Sequence, residues 1–376
     1  MNAKINRVYL NNLKCFKNFE FKIDGRSPLL VIGKNGTGKS TLLDALEMLK
    51  MIARGCSVKQ VFGMASDSGG FEPMRIEIEF CIGVRVYVYG VAVLPDASTK
   101  EFAILQEDVA CNGATFFHRD HGQIALAAAT GDAMMNFQLD VKVFALAAIQ
   151  AQSNDDPVVT VRRFLADLFI LQPIPQLMQD VIDPTSGLLV KTTATIASWL
   201  SYVFAKWPAA YGVVDKYLKL VMPDFVSLQT VGEDFAPKRY VMQFQRDADI
   251  TSIPISSLSN GEKCQLLAAA LMAVNSINGG IVCFWDEPTN YLSINEVGPM
   301  MRKLKSVFAV KGQLIVTAHS DEAILSFEDD STFVFCRKSH LEPTLPPRTL
   351  EQLRERKLLS GDLSTALRLG EVGDGM

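Results

Sequence analysis

An apolar run, Leu29–Ile32, leads into Gly33-Lys34-Asn35-Gly36-Thr37-Gly38-Lys39-Ser40, and a helical pattern with Leu42, Leu43, Leu46 and Leu49 on one face follows from Thr41. No other stretch restricts the possible folds as much. The octapeptide fits G-x-x-x-x-G-K-[ST] in full, and that spacing works only as a strand, a tight loop and a helix in succession. Gly33, Gly36 and Gly38 let backbone N–H groups turn inward around an anion, and the helix start adds positive potential. Lys39 supplies a point charge for phosphates, and Ser40 supplies an oxygen of the kind that ligates Mg²⁺. A glycine turn that merely caps a helix is the plain alternative, which the flanking strand and helix disfavour.

Around this unit the sequence alternates apolar and polar residues. Strands are expected at Val8–Leu10 and Phe19–Ile23, a hairpin at Ile76–Phe80 and Val84–Val88 around Gly83, and two more strands within Phe102–Arg119 around Asn112-Gly113. An antiparallel sheet should therefore lie beside the phosphate-binding unit. From Gly131 to Asp224 the pattern reads as helical segments punctuated by prolines, without a sustained heptad repeat, and is expected to form an inserted helical arm. Strand and helix then alternate: strand Tyr240–Gln245, helix Gly261–Val274, strand Ile281–Trp285, helix Ile294–Phe308, strand Gln313–Thr317, helix Asp321–Phe327 and strand Thr332–Cys336. The expected domains are an N-terminal lobe 1–130, the arm 131–234, a C-terminal lobe 235–340 and a tail 341–376.

Three further segments carry chemistry. The buried-strand pattern Ile281–Trp285 ends in Asp286-Glu287, which suits Asp286 to a Mg²⁺ shell and Glu287 to orienting and deprotonating a water. Leu258-Ser259-Asn260-Gly261-Glu262 opens a helix, where Ser259 and Gly261 can form an anion site from first-turn N–H groups, or an ordinary serine cap. His319, just past the strand Gln313–Thr317, is placed to hydrogen-bond a phosphate or the attacking water. His118 and His121 lack the company of a metal site and read as a polar turn.

Composition adds exclusions. With 376 residues, 48% apolar, the chain can bury one large core or two. The run Leu266–Val274 is too short to span a bilayer, and Ile196–Val214 is broken at Lys206-Trp207-Pro208, so no membrane domain is expected. No leader pattern opens the chain, and seven cysteines stand as singles, so a cytoplasmic protein with reduced thiols is expected. The net charge of −4 leaves DNA contact possible only through a local basic patch. The mixed charges of the tail from Arg337, with Arg348, Arg354, Lys357 and Arg368 interleaved among acidic residues, read as a solvated helix face, with DNA contact as the alternative.

Taken in order, GKNGTGKST (Gly33 to Thr41, including Asn35), LSNGE, VCFWDEP, PTNYLS and TAHS resemble the Walker A, signature, Walker B, D-loop and switch-histidine motifs of ABC-type ATPases. LSNGEK in place of the transporter LSGGQ, and Asn12-Leu13-Lys14-Cys15-Phe16 near the start, resemble the SMC, RecF and OLD-type branch. The resemblance implies an α/β P-loop NTPase of ABC type, with a mixed central sheet, a flanking antiparallel β-subdomain and the inserted arm. It implies ATP and Mg²⁺ as ligands. It also implies a head-to-tail homodimer or higher homo-oligomer, in which Ser259 and Gly261 of one copy contact the γ-phosphate held by Lys39 of the other. Lys14 aligns loosely with a basic residue that touches nucleotide in some members, and a solvated strand lysine is the equal alternative. Ser293 stands where an aspartate usually ends the D-loop, and no Q-loop glutamine can be placed beyond Gln60 or Gln106. Too few residues follow His319 for the Toprim nuclease domain of OLD proteins, so a separately encoded effector, a nuclease or toxin, is expected, as in Septu- or PARIS-type antiviral defence. A DNA-repair or chromosome-maintenance ATPase of the RecF or SMC kind is the alternative.

Overall fold

A computed structural model describes residues 3–63, 72–95, 101–127, 134–150, 155–232 and 237–355. The chain divides into two compact units, Phe169–Glu328 and Asn2–Leu168 joined by Asp329–Met376.

In the second of these, β1 (Ala3–Asn11), β2 (Phe19–Lys22), β4 (Met74–Ile82), β5 (Arg85–Pro95), β6 (Phe102–Cys111), β7 (Ala114–Asp120), β8 (Gln123–Ala127) and β9 (Met134–Gln138) form one antiparallel sheet. Its order is β2-β1-β4-β5-β6-β7-β8-β9. Strict alternation drives it: Met74, Ile76, Ile78 and Phe80 of β4 all point to the buried face. The hairpins expected around Gly83 and Asn112-Gly113 are both present, and β8 and β9 extend the sheet beyond them. Strand β3 (Leu29–Ile32) runs apart from this sheet into α1 (Lys39–Ala53), and α2 (Val58–Phe62), α3 (Ala145–Ala148) and α4 (Pro157–Ala166) follow. Asp156 caps α4 through Val158 N–H, Pro157 occupies its first turn, and Phe164 stacks on Phe80 of the sheet at 3.7 Å.

A buried polar cluster fixes the start of α3 and the segment before it to this sheet. Glu107 accepts from Tyr89 Oη at 3.0 Å and from the N–H groups of Ala145 and Leu146 at 2.7 and 2.8 Å. Arg119 donates to the carbonyls of His121, Val143 and Asp140, and its Nη1 lies 3.6 Å from Glu107. Burial pushes the Glu107 carboxyl upward in pKa, against the pull of those N–H donors and of Arg119.

The unit 169–328 holds β10 (Phe169–Leu171), α5 (Ile196–Lys206), α6 (Ala209–Val221), β11 (Phe225–Val231), β12 (Arg239–Arg246), β13 (Asp249–Pro254), α7 (Asn260–Ile277), β14 (Val282–Trp285), α8 (Ile294–Val310), β15 (Gln313–Thr317) and α9 (Asp321–Ile324). Strand β14 pairs in parallel with β10 on one side and β15 on the other, and β11-β12-β13 make a small antiparallel sheet. Every residue of α7 from Leu266 to Val274 is buried, which is why the helix lacks an amphipathic pattern. Asn275 accepts from Ile281 N–H and donates to Lys311 O, tying the end of α7 to the start of β14 and the end of α8. Back in the first-described unit, β16 (Thr332–Val334) pairs in parallel with β3 and antiparallel with β17 (Arg348–Thr349), and α10 (Leu350–Glu355) ends the described chain.

The α/β architecture with a separate antiparallel sheet is as the sequence implies. The segment 131–234 is not purely helical: it contains β9, β10 and β11, and the division at Leu168/Phe169 falls inside it. A three-residue buried strand such as Phe169–Leu171 shows no alternation, so proline-broken apolar sequence concealed it. Gly131, the start of that segment, and Lys357 and Arg368 of the tail lie outside the described residues, whereas Arg354 pairs with Asp329 at 3.0 Å.

Candidate nucleotide site

The phosphate-loop residues lie on the unit that carries β3. All four residues of β3 are buried, and the chain leaves it through Gly33 at φ 155°, where a Cβ would stand 2.3 Å from Phe335 O. Gly38, at φ 104°, is equally committed, since a Cβ there would meet Phe16 Cζ at 2.5 Å and Cys15 Sγ at 2.8 Å. The Asn12–Phe16 motif thus packs against the loop, and Thr41 Oγ1 lies 4.0 Å from Cys15 Sγ. Lys39 is buried, its ammonium donating to Gly33 O at 2.7 Å and Lys34 O at 3.1 Å. Gly38 caps α1 without a side-chain bond and no acid stands in the first turn, so that end of the helix is electropositive. Asn35, Gly36 and Ser40 are exposed. Lys14 sits in a turn at φ 51°, paired with Asp44 at 2.9 Å, and is not part of a strand.

The acidic residues lie on the unit 169–328. Strand β14, buried throughout, delivers Asp286, whose N–H donates to Leu171 O of the neighbouring β10 at 2.7 Å. Asp286 Oδ1 accepts from Thr317 Oγ1 at 2.5 Å, and Oδ2 accepts from Gln172 Nε2 at 3.0 Å. Thr317 uses its oxygen twice, also accepting from Glu287 N–H at 2.9 Å. Glu287 adopts φ 50°, a left-handed conformation uncommon for a residue with a side chain. Its Oε1 lies 3.1 Å from His319 Nε2, and its Oε2 accepts from Asn290. Asp286 is buried to 6% exposure, whereas Glu287 and His319 remain 30% and 41% exposed at the side chain. One group is therefore built to hold position and the other two to meet solvent.

Gln172 was invisible in the sequence. It follows the concealed strand β10 and precedes Pro173, and only the parallel pairing of β10 with β14 brings it to Asp286. The two glutamines offered instead are engaged elsewhere, Gln60 in the capping box of α2 and Gln106 as acceptor from Arg75 at 3.3 Å.

Ser259 caps α7 in a reciprocal box, accepting from Glu262 N–H at 3.2 Å while Glu262 Oε2 accepts from Ser259 N–H at 2.7 Å. A Cβ on Gly261 would stand 3.2 Å from Tyr291 O, so the signature turn abuts the D-loop segment. Ser293 makes the same box with Glu296 at the start of α8, which gives this departure from aspartate a local structural role. His118 and His121 each pair with one aspartate, Asp108 and Asp120.

A serine hydroxyl and a carboxylate are hard oxygen donors of the kind Mg²⁺ takes, and a glycine loop with a lysine offers the kind of donors a polyphosphate takes. No helix among the described residues is long and apolar enough to cross a membrane.

Residues 4–118 match the family model of the AAA ATPase domain. No curated protein matches the sequence. Among solved structures, the Smc head bound to the C-terminal winged-helix domain of ScpA is similar at a TM-score of 0.59 and 16% identity, covering 94% of this chain and 99% of that one. The Smc head domain with an extended coiled coil, bound to the C-terminal domain of ScpA derived from Pyrococcus furiosus, is similar at a TM-score of 0.57 and 13% identity, covering 94% and 98%.

Proposed function

We propose that this chain, an ABC-type ATPase with the fold of an SMC head, acts as a switch that closes head to tail on ATP and passes its nucleotide state to a separate partner. The observation that carries the reading is the acidic strand end, where Thr317 and Gln172 hold Asp286 while Glu287 keeps a partly exposed carboxylate against His319. A buried Asp286 held by one hydrogen bond on each oxygen keeps lone pairs that are suited, with the Ser40 hydroxyl, to the Mg²⁺ shell. Bound Mg²⁺ would offset charge on the phosphates. Lys39 and the N–H groups of the glycine loop hold the phosphates, with Asn35 and Thr41 flanking them. Glu287 takes the proton of the attacking water, and His319 orients that carboxylate or the γ-phosphate. Ser259 and Gly261 serve the ATP of the second copy.

The partner reading extends from the two Smc heads, both solved with a domain of ScpA bound. Control of a nuclease or toxin in prokaryotic antiviral defence is the finer role we infer from the LSNGEK signature variant and its resemblance to the OLD-type branch. The SMC-head fold favours chromosome maintenance as the second reading, with DNA as a further ligand.

Phosphate release from ATP by the purified chain tests the core of the proposal. Turnover should require Mg²⁺, stop with a chelator, and vanish in Lys39→Ala together with nucleotide binding, because the phosphates lose their main point charge. Wild-type ATP affinity in Lys39→Ala would remove the glycine loop from the mechanism.

A further inference from the structure

Two of the carbonyl groups of the glycine loop are held from outside it. Gly33 O and Lys34 O accept from the Lys39 ammonium, and Lys34 O also accepts from Thr37 Oγ1 at 2.8 Å. Gly36 O instead accepts from Arg337 Nη1 at 3.2 Å, and Thr37 O accepts from Thr344 Oγ1 at 2.9 Å. Arg337 and Thr344 belong to one closed strap that leaves β16: Leu345 N–H donates to Cys336 O at 2.9 Å and shuts its base. The guanidinium of Arg337 is the hub of the strap, its Nε donating to Glu342 O and its Nη2 to His340 O, both at 2.5 Å. Thr344 N–H donates to Cys15 O at 2.9 Å, fastening the strap to the Asn12–Phe16 turn as well. His340 lies over Gly36 so closely that a Cβ there would meet its Cε1 at 2.9 Å.

A trans peptide is rigid and points its N–H opposite to its C=O. Fixing Gly36 O and Thr37 O toward the strap therefore turns the N–H groups of Thr37 and Gly38 the other way. Thr37 N–H makes one long hydrogen bond, 3.4 Å to Lys34 O, weak enough for a phosphate oxygen to displace. We propose that Arg337 and Thr344 are positioning residues for nucleotide binding, which preset two phosphate-binding N–H groups by anchoring the carbonyls of the same peptides. This rests on the ATP-site reading above and adds an element from the far end of the chain to it. Preorganised donors bind without reorganising, so loosening them should weaken ground-state binding of the phosphates more than the chemical step.

The test uses the full chain, Mg²⁺–ATP titration, steady-state kinetics and thermal unfolding without nucleotide. Thr344→Val, which keeps the shape and removes the hydroxyl, should raise the ATP Kd on the order of ten-fold, the size of one lost hydrogen bond, with KM rising more than kcat falls. Thr344→Ser should bind as the wild type does, and Arg337→Gln should weaken binding at least as much as Thr344→Val. Should Arg337→Gln unfold the protein, the Val and Ser pair at 344 decides alone. Unchanged affinity in Thr344→Val, or equal losses in Val and Ser, would overturn the proposal. Lys39→Ala run alongside separates the readings: if it abolishes binding while Thr344→Val does nothing, the strap inference fails and the ATP site stands.

Discussion

The Glu287 carboxylate and His319 Nε2 meet at 3.1 Å, while the Glu287 backbone is held at φ 50° by its N–H bond to Thr317. Thr317 is the hinge of this arrangement, since the same hydroxyl donates to Asp286. Two adjacent carboxylates, one buried and one partly exposed, are thus hung from one buried oxygen.

Thr317→Val should break both bonds at once. Removing a buried partner from a charged acceptor and a backbone donor costs roughly 1–3 kcal/mol for each group left unsatisfied. ATP turnover should fall by roughly five- to a hundred-fold, the rate equivalent of about 1–3 kcal/mol, and Thr317→Ser should restore it. Wild-type turnover in Thr317→Val would mean that the hydroxyl does not position Glu287.

The Glu107–Arg119 cluster predicts a different response, in stability alone. Arg119 is fully buried and holds the carbonyls of His121, Val143 and Asp140 besides facing Glu107. Arg119→Ala leaves a buried carboxylate without its counter-charge and should lower unfolding stability by about 3–5 kcal/mol. Urea denaturation checks this. A loss below ~1 kcal/mol would show that the N–H groups of Ala145 and Leu146 satisfy Glu107 by themselves.

Ser259→Arg tests the composite site. The substitution removes a helix cap, worth roughly 0.5–2 kcal/mol, from a helix whose Leu266–Val274 stretch is wholly buried, so the fold should survive. ATP binding by each copy should persist while hydrolysis is lost, because the cation blocks the partner's γ-phosphate. Undiminished turnover would refute a shared site.

Legibility tracked how local each signal was. The loop Gly33–Ser40 and the strand end Asp286-Glu287 were readable because their spacing is itself the mechanism, and β4 and β5 because alternation marks a half-buried strand. Gln172 was not, since a three-residue buried strand has no period and its partner Asp286 lies more than a hundred residues away, a separation only parallel pairing closes. Arg337 and Thr344 escaped for the same reason: their partners are backbone carbonyls on the opposite end of the chain, and backbone acceptors leave no mark in a sequence. Ser293 departs from the aspartate usual at its place, and its S-x-x-E spacing to Glu296 encodes a capping box.

Glu287→Gln separates binding from chemistry and reports on dimerisation in the same experiment. Glutamine keeps the size of the side chain and can still approach His319 and Asn290, yet it cannot accept the proton of the attacking water, so hydrolysis should slow by orders of magnitude with Mg²⁺–ATP affinity retained. ATP then persists. If the γ-phosphate bridges Lys39 of one copy and the Ser259–Gly261 helix start of the other, its retention stabilises the closed pair by mass action. Light scattering on the variant should show the mass of a dimer with ATP and of a monomer with ADP or without nucleotide. A dimer already present without nucleotide would shift the readout to compaction on adding ATP, seen in small-angle scattering. Mass and shape that ignore ATP, in a variant that demonstrably binds it, would leave the glycine loop as a nucleotide site and remove ATP-gated closure as what it is for.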